Sequence, residues 1–157
     1  MDSHDANTDR ERLTLKSTLS EIARVPPWLE SLAALHAIPS RTQFAMDLCL
    51  EEVLSNIIRH GYGGESSHEI VIRYENHRNG FFTFVVEDHA PLFNPLTVRC
   101  PPLPRALEDI SGGGQGIRLL KQSADTIEYE PMSNGYRLII GFIAPGSSLA
   151  APLTITF

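Results

Sequence analysis

Apolar and polar residues alternate along Leu13-Thr-Leu-Lys-Ser-Thr-Leu19, the period of a half-buried strand. The period then lengthens. Ser20-Glu21 carries a helix-start signal, Pro26-Pro27 can sit only near a helix start or a break, and Trp28, Leu29, Leu32, Leu35 and Ile38 recur at helical spacing. Pro39-Ser40 closes that helix and caps the next, which runs from Arg41 to Arg59 and is the strongest helical pattern in the chain. Gly61-Tyr-Gly-Gly64 stops it, because glycine adopts the positive φ of a helix end at little cost. Strands are predicted at Glu69–Tyr74 and Phe81–Glu87, with Asn79-Gly80 as the hairpin signal between them. Pro91 to Gly114 is rich in Pro and Gly and lacks periodicity. A loop longer than about 12–15 residues inside a compact domain is usually functional or disordered. A helix over Gln115–Ser123 and strands over Thr126–Glu130 and Tyr136–Ile143, around Ser133-Asn-Gly135, complete the pattern.

This order predicts an α+β domain, a two-layer α/β sandwich whose antiparallel or mixed sheet is covered by helices on one face. The regular strand–helix alternation of a Rossmann fold is absent. Residues 1–11 read as a disordered tail, 12–144 as the domain, and 145–157 as a C-terminal extension with weak signals.

Composition narrows the function classes. A length of 157 residues suits one domain with a real core. The formal charge of −6 argues against broad nucleic-acid binding, which needs clustered Lys and Arg against phosphates, yet leaves room for a single nucleotide. Cys49 and Cys100 offer neither metal spacing nor a disulfide framework, and Cys49 reads as a small core residue. No run approaches the ~20 apolar residues of a membrane span. The polar start MDSHDANTDR is not a signal peptide, so the cytoplasm is the expected location.

On a helical wheel of ~100° per residue, Met46, Leu50, Val53, Leu54, Ile57 and Ile58 fill one arc and must face the core. Glu51, Ser55 and Arg59 are assigned to the solvent side. Glu52, Asn56 and His60 lie together at the edge of the apolar arc, beside Ala45 and Cys49, where a cleft wall would be. Glu and Asn four residues apart project side by side. Asn can give a neutral oxygen to a hard cation, and Glu can orient or deprotonate a nucleophile near a γ-phosphate. Such a pair is also what an ordinary solvated helix carries, and Glu51 is the natural control.

Asp88 stands just past a hydrophobic strand and can accept a hydrogen bond from a base amino group, although a lone Asp there also starts turns. Ser111-Gly-Gly-Gly-Gln-Gly116 precedes the apolar helix Ile117-Arg-Leu-Leu-Lys121. Glycines at a helix start let backbone N–H groups approach an anion. The run is neither a Walker loop nor a G-x-G-x-x-G fingerprint. Alone it is equally a hinge.

In combination the motifs are far more specific. Glu51-Glu-Val-Leu-Ser-Asn56-Ile-Ile-Arg-His60-Gly-Tyr62, Asp88 with Phe93-Asn-Pro95, and Gly112-Gly-Gly114-Gln-Gly116-Ile resemble, in order, the N box and glycine boxes of the GHKL ATPases, which have the Bergerat fold. The first run is most similar to the RsbW-like serine kinases that act as anti-sigma factors. The resemblance covers roughly residues 12–143. It implies Glu52 as catalytic base and Asn56 as the Mg²⁺ ligand. Asp88 would hold the adenine, with Phe93, Gly112, Gly113, Gly114, Gln115 and Gly116 around the nucleotide, and Leu96–Ser111 would be the ATP lid. Arg99 and Arg105 are lid cations with solvated charge as their plainest reading, and Arg59 and His60 take no assigned role. The family usually has Gly two residues after the Asp; here it is Ala90.

The resemblance therefore implies an ATP-binding anti-sigma factor with Mg²⁺-dependent serine/threonine kinase activity toward a STAS-domain antagonist. Its protein partners would be that antagonist and a sigma factor, without nucleic acid or membrane. The resembling group commonly forms dimers. The alternative is a catalytically weak or inactive partner-binding module of the same fold. The ATPase half of a histidine kinase fits less well, because the segment ahead of Leu13 is too short for a dimerisation helix pair.

Overall fold

The computed structural model describes residues 11–62, 68–77, 80–89 and 122–146. Within them the chain forms strand β1 (Arg12–Lys16), a 3-10 turn (Leu19–Arg24) and helices α1 (Val25–His36) and α2 (Ser40–Asn56). A π-helical turn (Ile57–Gly61) follows, then strands β2 (Glu69–Asn76), β3 (Phe81–Asp88), β4 (Thr126–Met132) and β5 (Gly135–Ile143). The strands make one sheet in the order β1-β2-β3-β5-β4. Every pairing is antiparallel.

Register explains the division into layers. Leu13 pairs with Ile72, Ile72 with Val86, Val86 with Leu138 and Leu138 with Tyr129, so one apolar row crosses the whole sheet. A second row runs Tyr74–Phe84–Ile140–Ile127. Because successive side chains alternate faces, these rows share the face that receives the helices. Trp28 of α1 meets Phe84 with ring centroids 5.8 Å apart. Leu29 and Leu32 of α1 and Met46, Leu50, Val53 and Leu54 of α2 are buried in the same core. The opposite face carries charge: Glu87 pairs with Arg73 and, at 3.0 Å, with Arg137, which also reaches Glu130 at 3.5 Å.

The two-layer α+β architecture is the one the pattern predicts. Strand ends shift by one or two residues, and four other boundary differences have a local reason. The first strand stops at Lys16 rather than Leu19, because Ser17 turns inward: its N–H donates to the His68 carbonyl at 2.9 Å and its hydroxyl accepts from the His68 N–H at 3.3 Å. Leu19 is thereby carried out of the sheet into the 3-10 turn and is exposed. Pro26 and Pro27 do sit in the first turn of α1, where no intrahelical N–H is required. That helix ends before Pro39, at Ala37, which takes a left-handed φ of 52° while Ile38 N–H donates to Ala33 O at 3.0 Å. Ser40 is therefore the first residue of α2 rather than its cap; Pro39 holds the cap position and no side chain bonds there.

The fourth difference is the end of the long helix. Its α-helical part stops at Asn56, and the wider π turn carries the chain to Gly61. Gln122 and Ser123 are helical, in line with the helix predicted over 115–123, whose remainder lies outside the described residues. So do residues 1–10 of the predicted tail and residues 147–157 of the extension. Among the described residues no helix is long and apolar enough to cross a membrane.

Candidate functional site

α2 places Glu52 and Asn56 one turn apart, and the two meet different surroundings. Asn56 is 4% exposed at the last α-helical position. Glu52 is half-buried on the rim of a cleft of about 600 Å³. One wall of the cleft comes from the 3-10 turn and the start of α1, through Leu19, Ile22, Ala23 and Pro26. The other comes from Asp47, Glu51, Glu52, Ser55 and Arg59. Burial raises the Glu52 carboxyl above its ordinary range and the neighbouring Glu51 charge raises it further, while Arg59 opposes both. Asp47 is raised too, by burial. A half-dry carboxylate beside another carboxylate holds its proton more readily than a free Glu, a property suited to a general base that must take a proton and later release it.

Glu51 and Arg59 are exposed and Ser55 is half-buried, in keeping with the solvent side assigned to them, and all three also border the cleft that Glu52 lines. One wheel placement needs correction. His60 leaves the strip shared by Glu52 and Asn56 and is exposed, because the π turn packs more residues per turn and breaks the 100° phase. Cys49 is buried, with its thiol pushed up to about 12 by burial and then by the Asp125 and Glu52 charges, as expected of an inert core residue.

Asp88 is 6% exposed at the end of β3, on the helix-facing side of the sheet. The peptide that follows it is held from two directions. The His89 N–H donates to Tyr62 Oη at 2.8 Å, and His89 Nδ1 lies 2.7 Å from the Asn134 carbonyl in the β4–β5 turn. In that turn, a methyl group on Gly135 would collide with the Asp88 carbonyl oxygen. Tyr129 and Tyr136 stack with centroids 5.1 Å apart, and Tyr136 is the β5 partner of Asp88.

Tyr62, His89, Asn134 and Gly135 were not singled out by sequence reasoning for this role. Tyr62 belongs to the His60-Gly-Tyr62 run and Asn134-Gly135 reads as a hairpin turn. Asn134 and Gly135 come to Asp88 through the pairing of β3 with β5, and Tyr62 comes to it from the turn that ends the long helix. Phe93, Gly112, Gly113, Gly114, Gln115 and Gly116 lie outside the described residues, as do Ala90, Arg99, Arg105, Cys100 and the Leu96–Ser111 lid. Among the described residues no group of three or more His, Cys, Asp or Glu gathers to hold a metal.

Helices packed on one face of an antiparallel sheet are the architecture of a GHKL-type ATPase domain. The chain belongs to the histidine kinase-like ATPase domain family, whose model matches residues 15–140. It is 27% identical over 127 residues to the serine/threonine-protein kinase BtrW of Bordetella bronchiseptica, covering 80% of this chain and 86% of that protein. Among solved structures it is similar to the histidine kinase domain of the blue-light activated histidine kinase from Erythrobacter litoralis EL346. That match has a TM-score of 0.51 at 16% identity and covers 82% of this chain. The chain spans only 61% of that structure, so the likeness speaks for the fold alone. Membership in an ATPase-domain family makes a nucleotide the class of ligand.

Proposed function

We propose that the chain is an ATP-dependent protein serine/threonine kinase of the anti-sigma type, with Glu52 as base and a STAS-domain protein as phosphate acceptor. The observation that carries the reading is the placement of Glu52: half-buried, raised by burial and by Glu51, and open to a cleft of about 600 Å³ that a protein side chain can enter. Glu52 would take the proton of an acceptor hydroxyl as its oxygen bonds to the γ-phosphorus and the bond to the β–γ bridging oxygen breaks, releasing ADP. Asn56 would give its side-chain oxygen to Mg²⁺, whose chemistry there is to offset the charge of the phosphates. Asp88 would accept from the adenine amino group, and the glycines of 112–116 would offer N–H groups to phosphates. Family membership and the kinase name of the Bordetella relative support the assignment. A sigma factor as the sequestered partner and a dimeric assembly extend the same reading.

A pull-down in the presence of ATP or ADP, followed by assay of the captured protein for phosphoserine or phosphothreonine, tests it. The expected result is an acceptor phosphorylated by the wild type and not by Glu52→Ala. Ala90, where the family usually has Gly, favours one competing reading, a partner-binding module with little or no catalysis. Capture of the same partner with no phosphate transfer by the wild type would establish that reading in place of the kinase.

A further inference from the structure

We infer that Tyr62 is a positioning residue for nucleobase selection, acting through the backbone that follows Asp88; the inference rests on the reading of Asp88 as the base acceptor. Tyr62 lies six residues beyond Asn56, across the π turn, whose last bond runs from Tyr62 N–H to Ile57 O at 3.1 Å. The ring is buried and stacks on His68 with centroids 4.5 Å apart and planes 14° from parallel. His68 is itself tied to Ser17 at the end of β1 by two hydrogen bonds. A ring fixed in this way holds its hydroxyl where it accepts from the His89 N–H at 2.8 Å.

That bond joins the two halves of the site. On one side of it are Asn56 and, one turn earlier, Glu52; on the other is the peptide carrying Asp88. Asn134 and Gly135, where β4 turns into β5, also restrain this peptide. They tie β3 to β5 within the sheet, whereas Tyr62 ties β3 to the end of α2. The Tyr62 hydroxyl therefore sets how far the Asp88 carboxylate stands from the phosphate end of the site. Adenine presents an amino donor at the position where guanine presents a carbonyl acceptor. A carboxylate held at fixed reach accepts from the first and repels the second, and slack in its position weakens both effects.

Tyr62→Phe removes the hydroxyl and keeps the stacked ring. Calorimetric titration of the full chain with Mg-ATP, Mg-GTP and Mg-tripolyphosphate, with melting curves of both proteins, reads the consequence. The variant should bind ATP roughly tenfold more weakly, about the worth of one hydrogen bond, with the ATP-over-GTP ratio falling alongside and tripolyphosphate binding changed by less than about twofold. Equal losses for ATP and tripolyphosphate would overturn the inference, since Tyr62 would then support the whole site rather than the base. Unchanged ATP binding and ATP-over-GTP preference would overturn it as well. If the wild type itself fails to bind ATP, the nucleotide reading falls and takes this inference with it. Should Tyr62→Phe not fold, amide exchange in the wild type decides: the His89 amide should gain protection with Mg-ATP and not with Mg-tripolyphosphate, and no ATP-dependent change would refute the role.

Discussion

Glu52 and Asp88 are both carboxylates at the edge of the same core, but the chain holds them by different means. Glu52 projects from a regular helix and borders an open cleft, and its proton affinity is set by burial and by Glu51 and Arg59, close neighbours in sequence. Asp88 is buried at a strand end, and the peptide beyond it is fixed by Tyr62 and by the β4–β5 turn, 26 to 47 residues away in the chain. The first arrangement leaves a group with raised proton affinity that opens onto a cleft. The second leaves a group that holds one position. A base and a recognition element need those two properties respectively.

The largest test of the contrast is a pair of substitutions. Glu52→Ala should lower phosphate transfer by roughly 10²–10⁴-fold, the usual contribution of a positioned base, and leave Mg-ATP affinity nearly intact. Asp88→Ala should do the reverse and weaken Mg-ATP binding by about one to two orders of magnitude, as expected for a lost hydrogen bond to a charged group. Calorimetry beside a transfer assay separates them, and identical profiles for the two variants would abolish the division of labour. Gly135→Ala comes next. Its methyl group has no room against the Asp88 carbonyl, so unfolding titrations should show a loss of about 1–3 kcal/mol, with weakened ATP binding in the protein that remains folded.

How far these features were legible in the sequence follows the same contrast. Periodicity located α2, set Glu52 and Asn56 one turn apart on it, and arranged alternating strands into a one-sided sheet, because helix and strand periods are local properties. It failed where the local period changes. The π turn moved His60 off the strip. It was silent on the clamp at Asp88. Nothing within a few residues of Tyr62 or Gly135 records that β3 and β5 will pair with Asp88 opposite Tyr136.

Smaller effects sharpen the electrostatic half of the comparison. As the base, Glu52 must be deprotonated, and its raised carboxyl puts the acid limb of the pH–rate profile above the ordinary carboxylate range. Glu51→Gln removes one cause of that elevation, so the limb should move to lower pH with the plateau rate nearly unchanged. A limb that stays in place, or moves upward, would dissociate Glu51 from the base. The smallest expected effect lies outside the site. Ala37→Gly relieves a left-handed Cβ conflict at the end of α1 and should stabilise the fold by a few tenths to about 1 kcal/mol in thermal melts, without altering ATP binding.

Asn56 and Asp88 are proposed to serve opposite ends of one bound nucleotide. The most direct measurement is calorimetric titration of the wild type, Asn56→Ala and Asp88→Asn with ATP, in the presence and absence of Mg²⁺. Saturable ATP binding by the wild type, strengthened by Mg²⁺, is the expected result. Asn56→Ala should lose that Mg²⁺ dependence, whereas Asp88→Asn should weaken binding equally with and without the ion. No ATP binding by the wild type, or a Mg²⁺ response untouched by Asn56→Ala, would contradict it.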